Sequence, residues 1–202
     1  LDGIDAPVHL VGGHLLHAIA ASALPQTRSL GLDPIGRLAR LGSVSVDAIM
    51  LSAQIAVDSS VDRVFEVDTR AYHRAGAGEA QCLGYALATG VAYLGALLDA
   101  GLSVDDAAAR IGFTINVGVR FFESIATARA LRLAWTRVIE ASGGADAALR
   151  IRAWPALRQI TRRDPYVNML RNTASVFAGA VGGADEVVSL PFDVALGDPS
   201  AR

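Results

Sequence analysis

Residues 61–117 read VDRVFEVDTRAYHRAGAGEAQCLGYALATGVAYLGALLDAGLSVDDAAARIGFTINV. The stretch opens on a short β-type run, Val61–Val67, and closes on another, Ile111–Val117. Between them lies Glu79–Ala100, Ala-rich and far too long for a strand, ending at Gly101 as a helix ends on a C-cap glycine. Ser103 opens a further helix as its N-cap. Asp105 and Asp106 stand in its first turn, where carboxylates meet the positive end of the helix dipole. Strand, long helix and strand at this spacing predict parallel pairing through a helical crossover.

The same alternation runs outward in both directions. Further strands are expected at Ser29–Leu32, Leu149–Ala153 and Glu186–Leu190. A helix within Pro7–Leu24 is stopped by Pro25, and Val46–Val57 reads as helical or mixed. Arg120–Ala141 is a long helix stopped by Ser142-Gly143-Gly144. Asp164-Pro165 caps a last helix that runs to about Val181, before Gly182-Gly183. Five strand–helix units result. A closed eight-stranded barrel takes about 250 residues, so the pattern predicts an open parallel sheet or part of a barrel.

Composition narrows the function. Of 202 residues, 52% are hydrophobic and 19% charged, and the net charge is −2. That excludes a disordered segment and argues against a nucleic-acid binder, which carries a basic excess. All eighteen basic residues are arginines, so a P-loop lysine and a lysine Schiff base are excluded on this chain. The single cysteine, Cys82, reads as a small buried hydrophobe and cannot form an internal disulfide, which suggests a reducing cytoplasm. Residues 6–27 and 80–98 lack charge. The second stretch is flanked by Glu79 and Asp99 and broken by glycines, so a core helix is expected there rather than a membrane span. A chain that starts at Leu1 is expected to be a fragment or a processed product.

Several residues stand where chemistry is possible. Tyr72-His73 follows the strand Val64–Asp68, at the carboxyl end where parallel α/β proteins keep their sites. Such a pair can polarise a carbonyl or transfer a proton, or else cap a loop. The turn Arg74–Gly78 offers amides to an anion. Asp33-Pro34 follows another strand, and its carboxylate either touches a ligand or caps the next turn, the cap being favoured by residue type. Arg150 and Arg152 share one face of their strand, and without partners inward arginines are costly. His9, His14 and His17 lack a neighbouring carboxylate, so a metal site is not expected. Phe121-Phe122, Ile125, Leu133 and Trp135 read as core.

The strings themselves are informative. AYHRAGAGE at 71–79, LATGVAYL at 87–94, FFESIATARALRLAW at 121–135, TRRDPYVNMLRNT at 161–173, VGGAD at 181–185 and LPFD at 190–193 resemble the methylmalonyl-CoA mutase family, in family order. The AGAG and DPYVNMLR strings resemble its small, or beta, subunit. The resemblance implies a partial (β/α)8 barrel of about strands four to eight, with residues 1–202 as one partial barrel domain. It also implies that the preceding strands and the cobalamin-binding domain are absent, since no Asp-x-His-x-x-Gly motif occurs. Family members isomerise methylmalonyl-CoA and succinyl-CoA through adenosylcobalamin.

Residue by residue, Tyr72 and His73 match the pair whose histidine approaches the substrate thioester, and they are the candidates for catalytic and cofactor contact. Arg110 matches an arginine associated with coenzyme A, and Asp33 matches an acid in the family's Gln-Asn-Asp turn. Arg152, facing inward, is a further candidate for substrate contact. The departures are Gly31 in place of the glutamine, Leu41 in place of an arginine, and Arg152 and Trp154 where the catalytic chain has histidine and glutamine. These imply a non-catalytic subunit, which takes part in assembly and stability beside a catalytic large subunit as a cytoplasmic heterodimer. That partner or a missing domain would hold the adenosylcobalamin. A competent acyl-CoA mutase with Tyr72 and His73 at the thioester is the alternative. The terminal strands of such a fragment are expected to expose unpaired edges and to favour association.

Overall fold

The computed structural model describes residues 8–10, 27–42, 47–146 and 149–197. Its described residues form an all-parallel sheet of six strands in the order of the chain: β1 (Val8–His9), β2 (Thr27–Leu32), β3 (Arg63–Asp68), β4 (Ile111–Val117), β5 (Arg150–Pro155) and β6 (Glu186–Val187). The helices are α1 (Pro34–Leu41), α2 (Asp47–Asp58), α3 (Arg70–Arg74), α4 (Glu79–Asp99), α5 (Val104–Ala109), α6 (Phe121–Ala141) and α7 (Val167–Val181). The sheet has one strand more than the five expected. Val8–His9 pairs with β2 as a strand, where the sequence suggested the start of a helix. The rest of the stretch expected to be helical, with His14 and His17, lies outside the described residues.

The Ser103 cap follows from the sequence: its Oγ accepts from Asp106 N at 3.2 Å. Asp164 does not cap the last helix as expected; that helix starts at Val167 with Tyr166 as its N-cap, and Asp164 Oδ1 accepts from Tyr166 N at 3.2 Å in the turn before it. Helix α1, which periodicity did not reveal, begins at Pro34 with Asp33 as its cap.

Alternation along the strands separates two faces, and a bulge in β3, where Val64 N and Phe65 N both donate to the Arg110 carbonyl, brings Arg63 to the face of Glu66. Phe65, Val67, Phe113, Ile115 and Ile151 point to the helices and form the core. Helix α4 is long and apolar enough to span a membrane by length. Its buried side, from Cys82 to Leu97, packs into this core: Tyr93 stacks on Phe65 at 4.2 Å. At Gly90 a Cβ would come within 2.8 Å of the Trp135 ring and 2.9 Å of Phe113, so the glycine lets α4 approach β4 and α6.

The other face closes on itself. Arg63 of β3 donates to Glu186 of β6 at 2.7 Å and lies 3.2 Å from His9 Nδ1 of β1. In a flat sheet with strands about 4.8 Å apart, β6 would stand about 14 Å from β3. Curvature brings these side chains together. The architecture is a curled half-barrel, consistent with part of a (β/α) barrel.

Candidate functional site

The inner face of the half-barrel is polar along its length. At mid-height Thr114 Oγ1 donates to Glu66 Oε1 at 2.6 Å. Arg152 Nη1 lies 3.6 Å from the same oxygen, and Arg152 Nε and Nη2 reach Glu186 Oε2 at 2.7 and 2.6 Å. Glu66, Arg63 and Arg152 are all buried. Gly112 makes the room: a Cβ there would fall 2.6 Å from Glu66 Oε2. The inward arginine is therefore paired through Nε and Nη2, while its Nη1 and Glu66 Oε2 are buried without a hydrogen bond. Burial pushes the Glu66 carboxyl above its ordinary range, and the Arg152 and Arg63 charges and the Thr114 bond offset this only in part. Burial acts on Glu186 too, but hydrogen bonds from Arg63 and Arg152 outweigh it and hold that carboxyl low.

At the carboxyl ends of the strands, Asp68 organises the mouth. Its carboxylate accepts from Arg70 Nε and Nη2, both at 2.8 Å, from Arg70 N at 2.9 Å, and from Arg40 Nη1 at 3.3 Å. Burial opposes ionisation, yet the Arg70 bonds and charge prevail and lower the Asp68 pKa. The Arg70 guanidinium lies over the Trp154 ring, 4.1 Å from its centroid. Trp154 thus sits at the mouth, held by a fully engaged arginine.

Asp33 is taken up by the fold. Its Oδ1 accepts from Gly36 N at 3.0 Å and Tyr93 O–H at 2.6 Å, and its Oδ2 accepts from Asp68 N at 3.1 Å. Burial raises its pKa against these bonds, and burial beside this carboxylate pushes the Tyr93 phenol strongly upward. The cap reading is the one the geometry shows. Gly31, just before it, has φ +61°, a conformation that a glutamine there would adopt only with strain.

Tyr72 and His73 are adjacent on α3 but diverge. Tyr72 packs its ring 4.8 Å from Tyr85 and lines a groove of about 430 Å³ with Arg40, Asp68 and Arg70. His73 lines a separate cavity of about 310 Å³ with Asn116, Ser124, Arg158 and Gln159. Its Nδ1 is buried without a partner, and burial, with Arg158 nearby, lowers its pKa. Arg110 lies at the opposite, amino-terminal end of the strands. It donates to the Val61 carbonyl and borders an opening of about 690 Å³ with Arg28, Asp62, Arg63 and Arg150. The structure therefore brings Asp33, Tyr72 and Asp68 to one end, Arg110 to the other, and Arg152 between them. Among the described residues no group of His, Cys, Asp or Glu could hold a metal ion.

Sequence reading missed the inner network. Arg152 and Glu186 are 34 positions apart, and Arg63 and Glu186 are 123 apart. The one available signal was the run Arg63, Glu66 and Asp68 inside a strand that would otherwise read as apolar. It missed Arg70 and Asp68 at the mouth for the same reason.

A parallel sheet curled about a polar axis, with its crossover helices outside, defines the chain as an α/β half-barrel. Residues 52–202 match the family model for methylmalonyl-CoA mutase. The chain is 46% identical over 177 residues to the methylmalonyl-CoA mutase small subunit of Streptomyces virginiae, covering 86% of this chain and 29% of that protein. It is 39% identical over 178 residues to the small subunit of Propionibacterium freudenreichii subsp. shermanii, covering 85% and 27%. Against the methylmalonyl-CoA mutase of Escherichia coli it is 33% identical over 146 residues, covering 70% and 20%. The chain belongs to the methylmalonyl-CoA mutase family. It spans less than a third of the length of these relatives.

Proposed function

We propose that this chain is part of the small, non-catalytic subunit of an adenosylcobalamin-dependent methylmalonyl-CoA mutase, which works in the cytoplasm as a heterodimer with a catalytic large subunit. The partner interconverts methylmalonyl-CoA and succinyl-CoA, and this chain serves assembly and stability. One observation carries the reading: the charged groups around Trp154 at the mouth are spent on one another. Asp68 holds Arg70 and Arg40, and Arg70 covers Trp154. A site that orients a thioester needs unspent donors aimed at the reacting atoms.

Adenosylcobalamin, when bound, supplies the radical chemistry of the rearrangement. The described residues do not fit it. His9 Nδ1 faces the Arg63 guanidinium, and His73 Nδ1 is buried beside a cavity at the lower limit for a drug-sized ligand. We assign the cofactor to the partner chain, or to parts of the small subunit outside those described.

The second reading, a competent acyl-CoA mutase, rests on the unpartnered His73 Nδ1. One assay separates the two. The full-length small subunit carrying Tyr72→Phe and His73→Ala is combined with the large subunit, adenosylcobalamin and methylmalonyl-CoA. Turnover within about twofold of the unsubstituted complex is expected, with none from the small subunit alone. A loss of about 100-fold or more, the scale of a missing general acid, would transfer the chemistry to this chain.

A further inference from the structure

Helix α7 faces the core with one side, where Asn168, Ser175, Ala178 and Gly179 are buried. At 3.6 residues per turn these fall roughly opposite Tyr166, Met169, Leu170, Thr173 and Phe177. That outward side bears no charge, and Tyr166, Met169, Leu170 and Phe177 are 69%, 55%, 74% and 59% exposed. A barrel helix whose outer side met only water would carry charged residues there. The patch continues onto α6, where Phe121 stacks on Phe177 at 5.5 Å and Phe122 is 81% exposed.

Among the described residues, the chain that follows α7 does not cover this side. Residues 188–197 run along the flank: Asn168 Nδ2 donates to the Phe192 carbonyl at 2.8 Å, and Asn172 bonds Ser189 and Leu190. Phe192 reaches the edge of the patch, stacking at 5.4 Å on Tyr166. The rim before the helix holds Arg162 and Arg163. Both are exposed, and neither side chain has an ion pair among the described residues, while Asp164 beside them is bonded to Tyr166 N. An apolar stripe with unspent positive charge at its edge matches a protein face of apolar centre and acidic rim.

We infer that the outer stripe of α7 is the surface through which this subunit docks on the large subunit. The inference rests on the proposal that a large subunit is the partner, and it names the surface. Leu170 and Phe177 are the central anchors, and Arg162 and Arg163 steer the approach.

The test titrates the full-length small subunit into purified large subunit by isothermal calorimetry, with sedimentation velocity and thermal melts of each variant alone. Leu170→Asp is expected to raise Kd by about 30-fold or more, with its own Tm unchanged because the side chain is exposed. Arg162→Glu with Arg163→Glu is expected to slow association by about tenfold and to weaken its salt dependence. Met50→Asp, at a 73% exposed position on α2, is expected to leave Kd unchanged. The inference is overturned by wild-type affinity in the Leu170→Asp variant, or by a Tm drop of that variant alone, which would show that the subunit's own chain covers the stripe. It is also overturned if Leu170→Asp abolishes only self-association. If the unsubstituted subunit fails to bind the large subunit at all, the assembly proposal itself falls, an outcome distinct from normal binding that ignores the substitution.

Discussion

The two faces of the same strands are held by different physics. On the outer face Phe113 meets the Trp135 ring edge-on at 4.9 Å and Phe65 stacks on Tyr93, with no charge between them. Packing of this kind is nearly non-directional, and its strength follows the apolar area removed from water. On the inner face Glu186 holds Arg152 and Arg63 through short, directional bonds, and Glu66 lies 3.6 Å from Arg152, at a high cost in lost hydration. The outer face therefore fixes how stable the half-barrel is. The inner face fixes which groups are available there, and of its central charges Arg152 Nη1 and Glu66 Oε2 lack a hydrogen bond.

The contrast is broken most strongly from outside. Trp135 of α6 is fully buried against α4 and β4. Trp135→Ala is expected to cost about 4 kcal/mol, read as a lowered urea midpoint, with no change between pH 5 and 8. A cost that varied with pH would show that the outer face is not purely apolar in its energetics.

From inside, the expected loss is smaller and can be repaired. Arg152→Met leaves Glu66 buried without its guanidinium and is expected to cost about 3 kcal/mol. Adding Glu66→Leu removes the stranded charge and is expected to restore part of that loss, because Glu186 loses the short Arg152 bonds in both variants and keeps Arg63. Additive losses in the double variant would mean that Arg152 stabilises the fold through Glu186 and packing and not through Glu66.

The outer face was legible in the sequence and the inner one was not. Ile111–Val117 was delimited as observed because β-branched and aromatic residues cluster there, and Ser103, Gly101 and Ser142-Gly143-Gly144 mark helix ends by local chemistry. β3 was shifted by two residues at its start, since its inward Arg63, Glu66 and Asp68 obscure the apolar signal. At the mouth, Tyr72-His73 was conspicuous as a pair of chemically capable neighbours, yet consecutive residues on a helix point about 100° apart, and here they line different cavities. What Asp33 and Arg152 do depends on Tyr93 and Glu186, which sequence separation hides.

The smallest expected effect sharpens the comparison within the polar face itself, between its depth and its mouth. Asp68 has its pKa held below the ordinary 3.8, so its ionised form stabilises the fold above that value, and the gain fades as pH falls through the lowered one. Asp68→Asn is expected to cost about 1.5 kcal/mol at pH 7, with the gap from wild type closing only below pH 3.8. Glu66, deeper in, has its pKa raised above the ordinary 4.5, and the sign reverses. Its ionisation opposes folding, so wild type is expected to lose ground against Glu66→Gln as pH rises from 4.5 and to level off beyond the raised value. Chemical denaturation of both variants from pH 3 to 8 gives the two curves. A gap for Asp68→Asn that widened on acidification would mean that Arg70 does not hold that carboxylate, and the closed mouth on which the non-catalytic reading rests would be open.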